Sequence, residues 1–457
     1  MKLSSLTAIS PIDGRYFDKN NVVRNIYSEY AFIKFKIKIE ILWLKKLLKI
    51  SEILKYLKIN VKIYESLDNI LINFNELDAK KIKNIEKTTN HDIKALEYFL
   101  KKKCNNDILL STISEFIHFG CTSDDINNLS YALMLKKTYR TILIPYWKKI
   151  LNKIKIRALK YKKIALISYT HGQPATPSTI GKEFANFYYR MHRQYVQLKK
   201  IEFLGKINGS TGNYNALLVA YPNINWHKIS EDFVTSLGLT WNPCTTQIEP
   251  HDYIAEFFHC IIRFNTILID FNRDMWGYIS LEYFSQKHVN GEIGSSVMPH
   301  KINPINFENS EGNLSMANAL MNFMANKLPI SRWQRDLTDS TVLRNMGLTI
   351  SYSVLAYDSC LLGIDKLQIN ESKMLEVLNL NWEILSEPIQ IVMKRYGITN
   401  AYEQLMRLTK GKKIDSKIIH NFIDQTSLPI QEKNKLKKLT PMNYIGMSVN
   451  IINQLYC

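Results

Sequence analysis

The sequence predicts an all-α protein of three domains arranged around a central bundle of long helices. Two observations carry this. Stretches 127–161 (NNLSYALMLKKTYRTILIPYWKKILNKIKIRALKY) and 251–284 (HDYIAEFFHCIIRFNTILIDFNRDMWGYISLEYF) keep apolar residues at three- and four-residue spacing far beyond an ordinary globular helix. Between such rods the chain breaks into short loops rich in Gly, Pro, Ser and Asn. A third observation, 457 residues with 46% hydrophobic and 22% charged content, supplies material for more than one core.

Taken in order, the chain opens with a Lys-rich region, assigned to an N-terminal helical domain, 1–111. Within it FIKFKIKIEILWL (32–44) alternates apolar and charged residues, which alone would indicate a strand. Its flanks, YSEYAFIKF and LKKLLKI, are spaced as helix, and an Ile-rich composition makes a helical face look alternating, so helix is expected. The central bundle is placed at 112–365 and interrupted by YTHGQPATPST, GSTGNYN and GSSVMPHKINP, all expected as loops. A C-terminal domain of shorter, charged helices is placed at 366–457, with TPMNYIGMS as a late turn.

Several function classes are set aside. Six Cys without a CxxC or paired spacing argue against zinc ribbons and disulfide scaffolds and fit a reducing compartment. No HExxH, GxxxxGK[ST] or strand-linked GxGxxG occurs, and no His cluster has metal-ligand spacing; His251 and His259 are expected as packed or exposed helical residues. No metal and no cofactor are expected. The N-terminus lacks an apolar signal-peptide core. Residues 346–364 (MGLTISYSVLAYDSCLLGI) are long enough to span a bilayer, but Asp358 and scattered Ser, Thr and Tyr favour a buried helix. The formal charge of +19 comes from Lys spread along the chain, which fits compositional drift better than a nucleic-acid footprint. No membrane or nucleic-acid partner is expected, and the cytoplasm is the expected location.

What remains is a set of polar segments between apolar rods: TTNHD (88–92), IHFGCTSDD (117–125), YTHGQPATPST (169–179), GSSVMPHKINP (294–304) and RWQRDLTDSTVLR (332–344). Polar clusters at the ends of rigid elements are where a scaffold places a site. GSSVMPHKINPINFENSEGN resembles the signature loop of the fumarase/aspartase superfamily, GSSxMPxKxNxxxxE. LSSLTAISPIDGRY, KTTNHDIKALEYFL, SEFIHFGCTSDDINNLS, THGQPATPSTIGKE, NPCTTQIEPHDYIAE and SRWQRDLTDSTVLRN resemble one family within it, the bacterial-type adenylosuccinate lyases. The departures are slight: Val297 stands where the family has a small polar residue, and 45–85 follows it loosely.

The resemblance implies β-elimination of fumarate from two nucleotide substrates, adenylosuccinate and succinylaminoimidazole-carboxamide ribotide. By correspondence, Ser295 is the base that takes the carbon-bound proton and His171 the acid that protonates the leaving nitrogen. Ser296, Lys301 and Asn303, with Ile302 between them, match positions that hold the succinyl carboxylates. Asn90, His91, Asp92, Gln247 and Asn309 match substrate contacts. Thr122 and Ser123 match carboxylate or base contacts, although TSDD before an apolar run equally suits a helix N-cap. Arg15, Tyr16, Arg335, Ser340 and Arg344, with Thr341, Val342 and Leu343, match the phosphate set. Glu308 is expected to orient a histidine or to cap a helix, and His118 is a further site histidine.

The family implies a homotetramer with a shared 20-helix core, in which each site draws on three chains. A sibling lyase would lack the three arginines of the phosphate set. A structural protein on the same scaffold would not need Ser295, His171 and Lys301. An RNA-binding protein would rest on charge alone.

Overall fold

In the computed structural model, which describes residues 1–55 and 60–456, helix dominates and β structure is confined to three two-stranded pieces. Residues Ser123–Thr138, Tyr139–Leu143 and Ile144–Lys160 run on without a break, the middle segment as a π turn. The second predicted rod is helical over Asp252–Ser280, and its last residues pass into the strand Phe284–Gln286.

The stretch that mimics a strand is the helix Glu29–Leu47, entered at Ser28, whose hydroxyl accepts the Ala31 N–H at 3.2 Å. Its alternation has a specific origin. Lys36 and Glu40, which read as solvent-facing, are buried along with Ile33, Ile37, Ile41 and Leu44. The expected helix at 346–364 is Met346–Lys366; Ile350, Val354, Tyr357, Cys360 and Ile364 are buried inside the protein, so its apolar surface is covered by side chains.

One expected loop is not a loop. YTHGQPATPST lies in an antiparallel hairpin, Ala165–Thr170 with Gln173–Thr179, in which Thr170 pairs with Gln173. His171 and Gly172 form the two-residue turn with φ of 54° and 73°. Two successive left-handed residues match the right-handed twist of the flanking strands. Pro174 and Pro177 are tolerated because a two-stranded ribbon leaves every strand one free edge.

Two compact units account for the contacts. One comprises 1–147, 194–266 and 313–355; the other 148–193, 267–312 and 356–457. In the first, Ile33, Ile37, Ile41 and Leu44 pack with Ile82, Leu96, Phe99, Leu100 and Ile113. Trp43 lies edge-on to Phe233 and donates to the Phe119 carbonyl at 3.0 Å. The second has an aromatic core in which Phe271 meets Phe184, Phe187 and Phe307. Gly363 is required there, since a Cβ would stand 2.9 Å from the Phe307 ring.

Candidate active site

In the first unit, the TTNHD motif bridges two helices. Asn90 ends Glu76–Thr89 in a left-handed conformation, and His91 caps Asp92–Asn105 by accepting the Lys94 N–H on Nδ1 at 3.1 Å. That bond requires a free lone pair on Nδ1, so the proton of the neutral ring sits on Nε2, and the ring is exposed. Asp92 is gripped by the buried Lys36 at 2.6 Å, with Arg344 3.8 Å away. Burial opposes ionisation of Asp92, and the Lys36 ammonium more than offsets it, holding the carboxyl below its ordinary range. Arg344 also reaches Glu29 at 3.3 Å. It lines a cavity of about 300 Å³ together with Asp13 of the DGRY turn, Asn20, Tyr27 and Ser28. In that turn Arg15 is exposed and Tyr16 half-buried. A larger cavity, about 730 Å³, is lined by Arg24, Lys34, Lys38 and Lys137 and includes none of the predicted site residues.

Thr122 and Ser123 open the helix Ser123–Thr138, so the capping alternative is realised: the Asp125 carboxylate accepts the Thr122 N–H at 2.8 Å. Both residues remain part-exposed. Asp125 does more than cap. Fully buried, it also accepts from Lys206 Nζ at 2.9 Å and from the N–H groups of Asn208 and Gly209 at 3.0 and 3.1 Å. The GSTG turn is thereby tied to the helix start. Gln247 donates to the Ser210 carbonyl at 2.9 Å, fastening its own segment to the same turn.

His118 pairs through Nδ1 with the buried Glu40 at 2.6 Å. Burial disfavours its charge, and the Glu40 carboxylate overcomes this and raises its pKa. Arg335 bonds Asp339 at 2.7 Å from the short helix Thr338–Leu343, whose Ser340 N–H is bonded to Asp339 Oδ1 at 2.7 Å. Along that helix Thr341 is exposed and Val342 half-buried, while Leu343 is in the core and offers a ligand no side-chain surface.

In the second unit, the signature segment is irregular up to Pro304, and the helix Ile305–Lys327 follows. The loop closes on itself. A Cβ on Gly294 would lie 2.3 Å from the Lys301 carbonyl oxygen, so only glycine permits that approach. Ser295 Oγ accepts N–H groups from Met298 at 3.1 Å and Val297 at 3.4 Å. Two backbone dipoles thus converge on the oxygen that would carry negative charge as an alkoxide. Ser296, Lys301, Ile302 and Asn309 are exposed and Asn303 half-exposed. Glu308, in the first turn of the helix, accepts from the Trp276 indole at 3.0 Å, a partner expected neither from the orienting nor from the capping role. His171 stands exposed at the hairpin turn; among the described residues no hydrogen bond joins it to Ser295.

A family model described as Lyase matches residues 14–319, and one described as Adenylosuccinate lyase C-terminal matches 331–445. Adenylosuccinate lyase of Buchnera aphidicola subsp. Acyrthosiphon pisum is 63% identical with both chains covered in full. The chain belongs to the adenylosuccinate lyase family. Members from Escherichia coli K12 and Legionella pneumophila are 57% and 49% identical, covering 100% and 99% of each chain respectively. The family's fold extends to distant structures: a fumarate lyase from Mesorhizobium superposes with a TM-score of 0.77 at 15% identity, covering 95% of this chain and 96% of that one. A 3-carboxy-cis,cis-muconate lactonizing enzyme from Pseudomonas putida gives 0.75 at 18%, covering 95% of both.

Charged residues that sequence reasoning missed are Lys36, Glu40, Asp125, Lys206 and Asp339. Each is buried, and each holds a predicted site residue or its loop. The only sequence signal was indirect: Lys36 and Glu40 fall four apart inside an otherwise apolar helical face.

Proposed function

We propose that this chain cleaves adenylosuccinate to AMP and fumarate, and succinylaminoimidazole-carboxamide ribotide in the same way, with Ser295 as base and His171 as acid. The observation that carries the assignment of the base is the pair of backbone N–H groups aimed at Ser295 Oγ. A serine hydroxyl is a weak base, and donors already in place lower the cost of its alkoxide without reorganisation.

The carbon that loses its proton lies beside a carboxylate, so negative charge accumulates on an anionic group. Ser295 takes the proton, the C–H electron pair becomes the new C=C bond, the C–N bond breaks, and His171 delivers a proton to the departing nitrogen. Ser296, Lys301 and Asn303 hold the carboxylates. One well-aimed donor of this kind contributes about 2.7–4 kcal/mol to the transition state. Arg15, Arg335 and Arg344 take the phosphate, for which a planar guanidinium fork is better matched than an ammonium. The exposed His91, whose Nδ1 is taken by the Lys94 N–H, donates to substrate through Nε2–H. Membership of the family supports a homotetramer whose sites are shared by three subunits, working in the cytoplasm.

Purified protein given adenylosuccinate should release AMP and fumarate, followed by absorbance. Ser295→Ala should lower turnover at least about 10²–10⁴-fold, the contribution of a positioned acid–base group, while substrate still binds. Turnover near that of the parent would remove Ser295 as the base. By sizing, the active form should be a tetramer; a fully active monomer would contradict shared sites.

A further inference from the structure

His251 has no part in the assignment above, yet its setting is unusual. It is 2% exposed, and its backbone sits at φ 67° in the left-handed region, a costly place for a residue with a Cβ. Two contacts hold it there. Its N–H donates to Glu249 Oε2 at 2.9 Å, and Glu249 Oε1 in turn accepts from Asn242 Nδ2 at 3.1 Å. Its ring Nε2 meets Asp339 Oδ2 at 3.1 Å. The same Asp339 oxygen takes Arg335 at 2.7 Å. A second buried carboxylate, Asp124, accepts the Glu249 N–H at 3.3 Å and lies 4.0 Å from Arg335. The chain of contacts therefore runs from Asn242 through Glu249 and His251 to Asp339 and ends on a part-exposed guanidinium.

We propose that His251 is a positioning residue for anion binding: by fixing Asp339 it sets the direction in which Arg335 presents its remaining N–H groups to the substrate's phosphate. The inference rests on the phosphate role proposed for Arg335. Asp339 is the pivot. Its Oδ2 is shared by a ring nitrogen and a guanidinium nitrogen, and its Oδ1 accepts the Ser340 N–H, so the carboxylate is held from three sides. Without the imidazole one side is open, and both the carboxylate and the guanidinium gain rotational freedom. Arg335 has five N–H donors in a rigid fork, and the structure commits one nitrogen, Nη1, to Asp339. The fork is useful to a phosphate only when its plane is fixed.

The test compares a probe that carries a phosphate with one that lacks it, independently of turnover. AMP and adenosine are titrated by calorimetry into the parent, Arg335→Ala, His251→Ala, His251→Gln and the double variant His251→Ala/Arg335→Ala. His251→Ala should weaken AMP about 10- to 100-fold, the range for losing one charge-assisted hydrogen bond, and leave adenosine unchanged. His251→Gln, whose amide can still donate to Asp339, should recover most of the affinity. The double variant should be no weaker than Arg335→Ala alone, because both remove one interaction.

Equal losses for AMP and adenosine would overturn the proposal, as would losses that multiply in the double variant or a parent that does not bind AMP. Should His251→Ala fail to fold, the glutamine variant decides: AMP affinity near the parent's supports the proposal, and an affinity as low as that of Arg335→Ala overturns it. Cleavage of adenylosuccinate by the parent is read separately. Its absence would sink the functional assignment and leave the binding comparison to stand or fall by itself.

Discussion

Lys206→Met is the most demanding test of how the site is held. Lys206 and Asp125 both have fully buried side chains, and their ion pair, at 2.9 Å, joins residues 81 apart in sequence. Removing one partner of such a pair leaves the other charge buried and typically costs about 3–5 kcal/mol. The structure selects the lower end. Asp125 would keep three backbone donors, from Thr122, Asn208 and Gly209, so its carboxylate would not be bare, and a loss of about 3 kcal/mol is expected. Asp125→Ala is the harsher change. It strands an ammonium whose hydrogen-bond partner is Asp125, and it orphans those three N–H groups, each worth about 1–3 kcal/mol when left unmade. Its loss should exceed that of Lys206→Met and approach the whole stability of an ordinary domain, about 5–15 kcal/mol. Urea unfolding followed by tryptophan fluorescence reads both, since Trp43 and Trp226 are buried in the same unit as the pair. A Lys206→Met midpoint equivalent to less than about 1 kcal/mol, the size of an average substitution, would refute the reasoning, and so would Asp125→Ala proving the milder variant.

Gly294→Ala places a methyl 2.3 Å from the Lys301 carbonyl oxygen, so the signature loop must open. Activity should fall about 10²-fold or more with an unchanged melting temperature, and wild-type kinetics would contradict the closed loop. His118 supplies a pH test. Burial works against its charge, the Glu40 carboxylate prevails, and the folded pKa lies above the unfolded one. The stabilisation is therefore complete below about pH 6.5, the unfolded value, and is lost as pH rises through the folded value. His118→Gln, which cannot titrate, should flatten the decline of melting temperature in that range; an unchanged slope would rule out His118 as its source.

How much of this was legible in the sequence differs from element to element. The long helices were, because apolar spacing over many turns has one interpretation. The irregular signature segment was as well, since Gly294, Pro299 and Pro304 exclude helix locally. The hairpin at His171 was not: its strands are short and carry two prolines, and the His-Gly pair that supplies two left-handed residues is a weaker turn signal than Asn-Gly. Candidate site residues could be proposed by motif, but not what each one touches. Glu308 shows the gap, for its bond goes to Trp276 on a helix that ends well before it in the chain.

The sequence by itself determined the helical architecture, the places where helix stops, and the family, because backbone preference and motif spacing depend on residues close together in the chain. Only the tertiary structure decided which charges lie inside. Asp125, Lys206 and His251 carry no local mark that separates them from solvent-facing neighbours, and Lys36 and Glu40 carry only their place inside an apolar helical face. Their partners are distant, as with Lys36 and Asp92 or His251 and Asp339. A buried charge is tolerated only where an opposite charge or a donor meets it, and that meeting is fixed by packing in three dimensions.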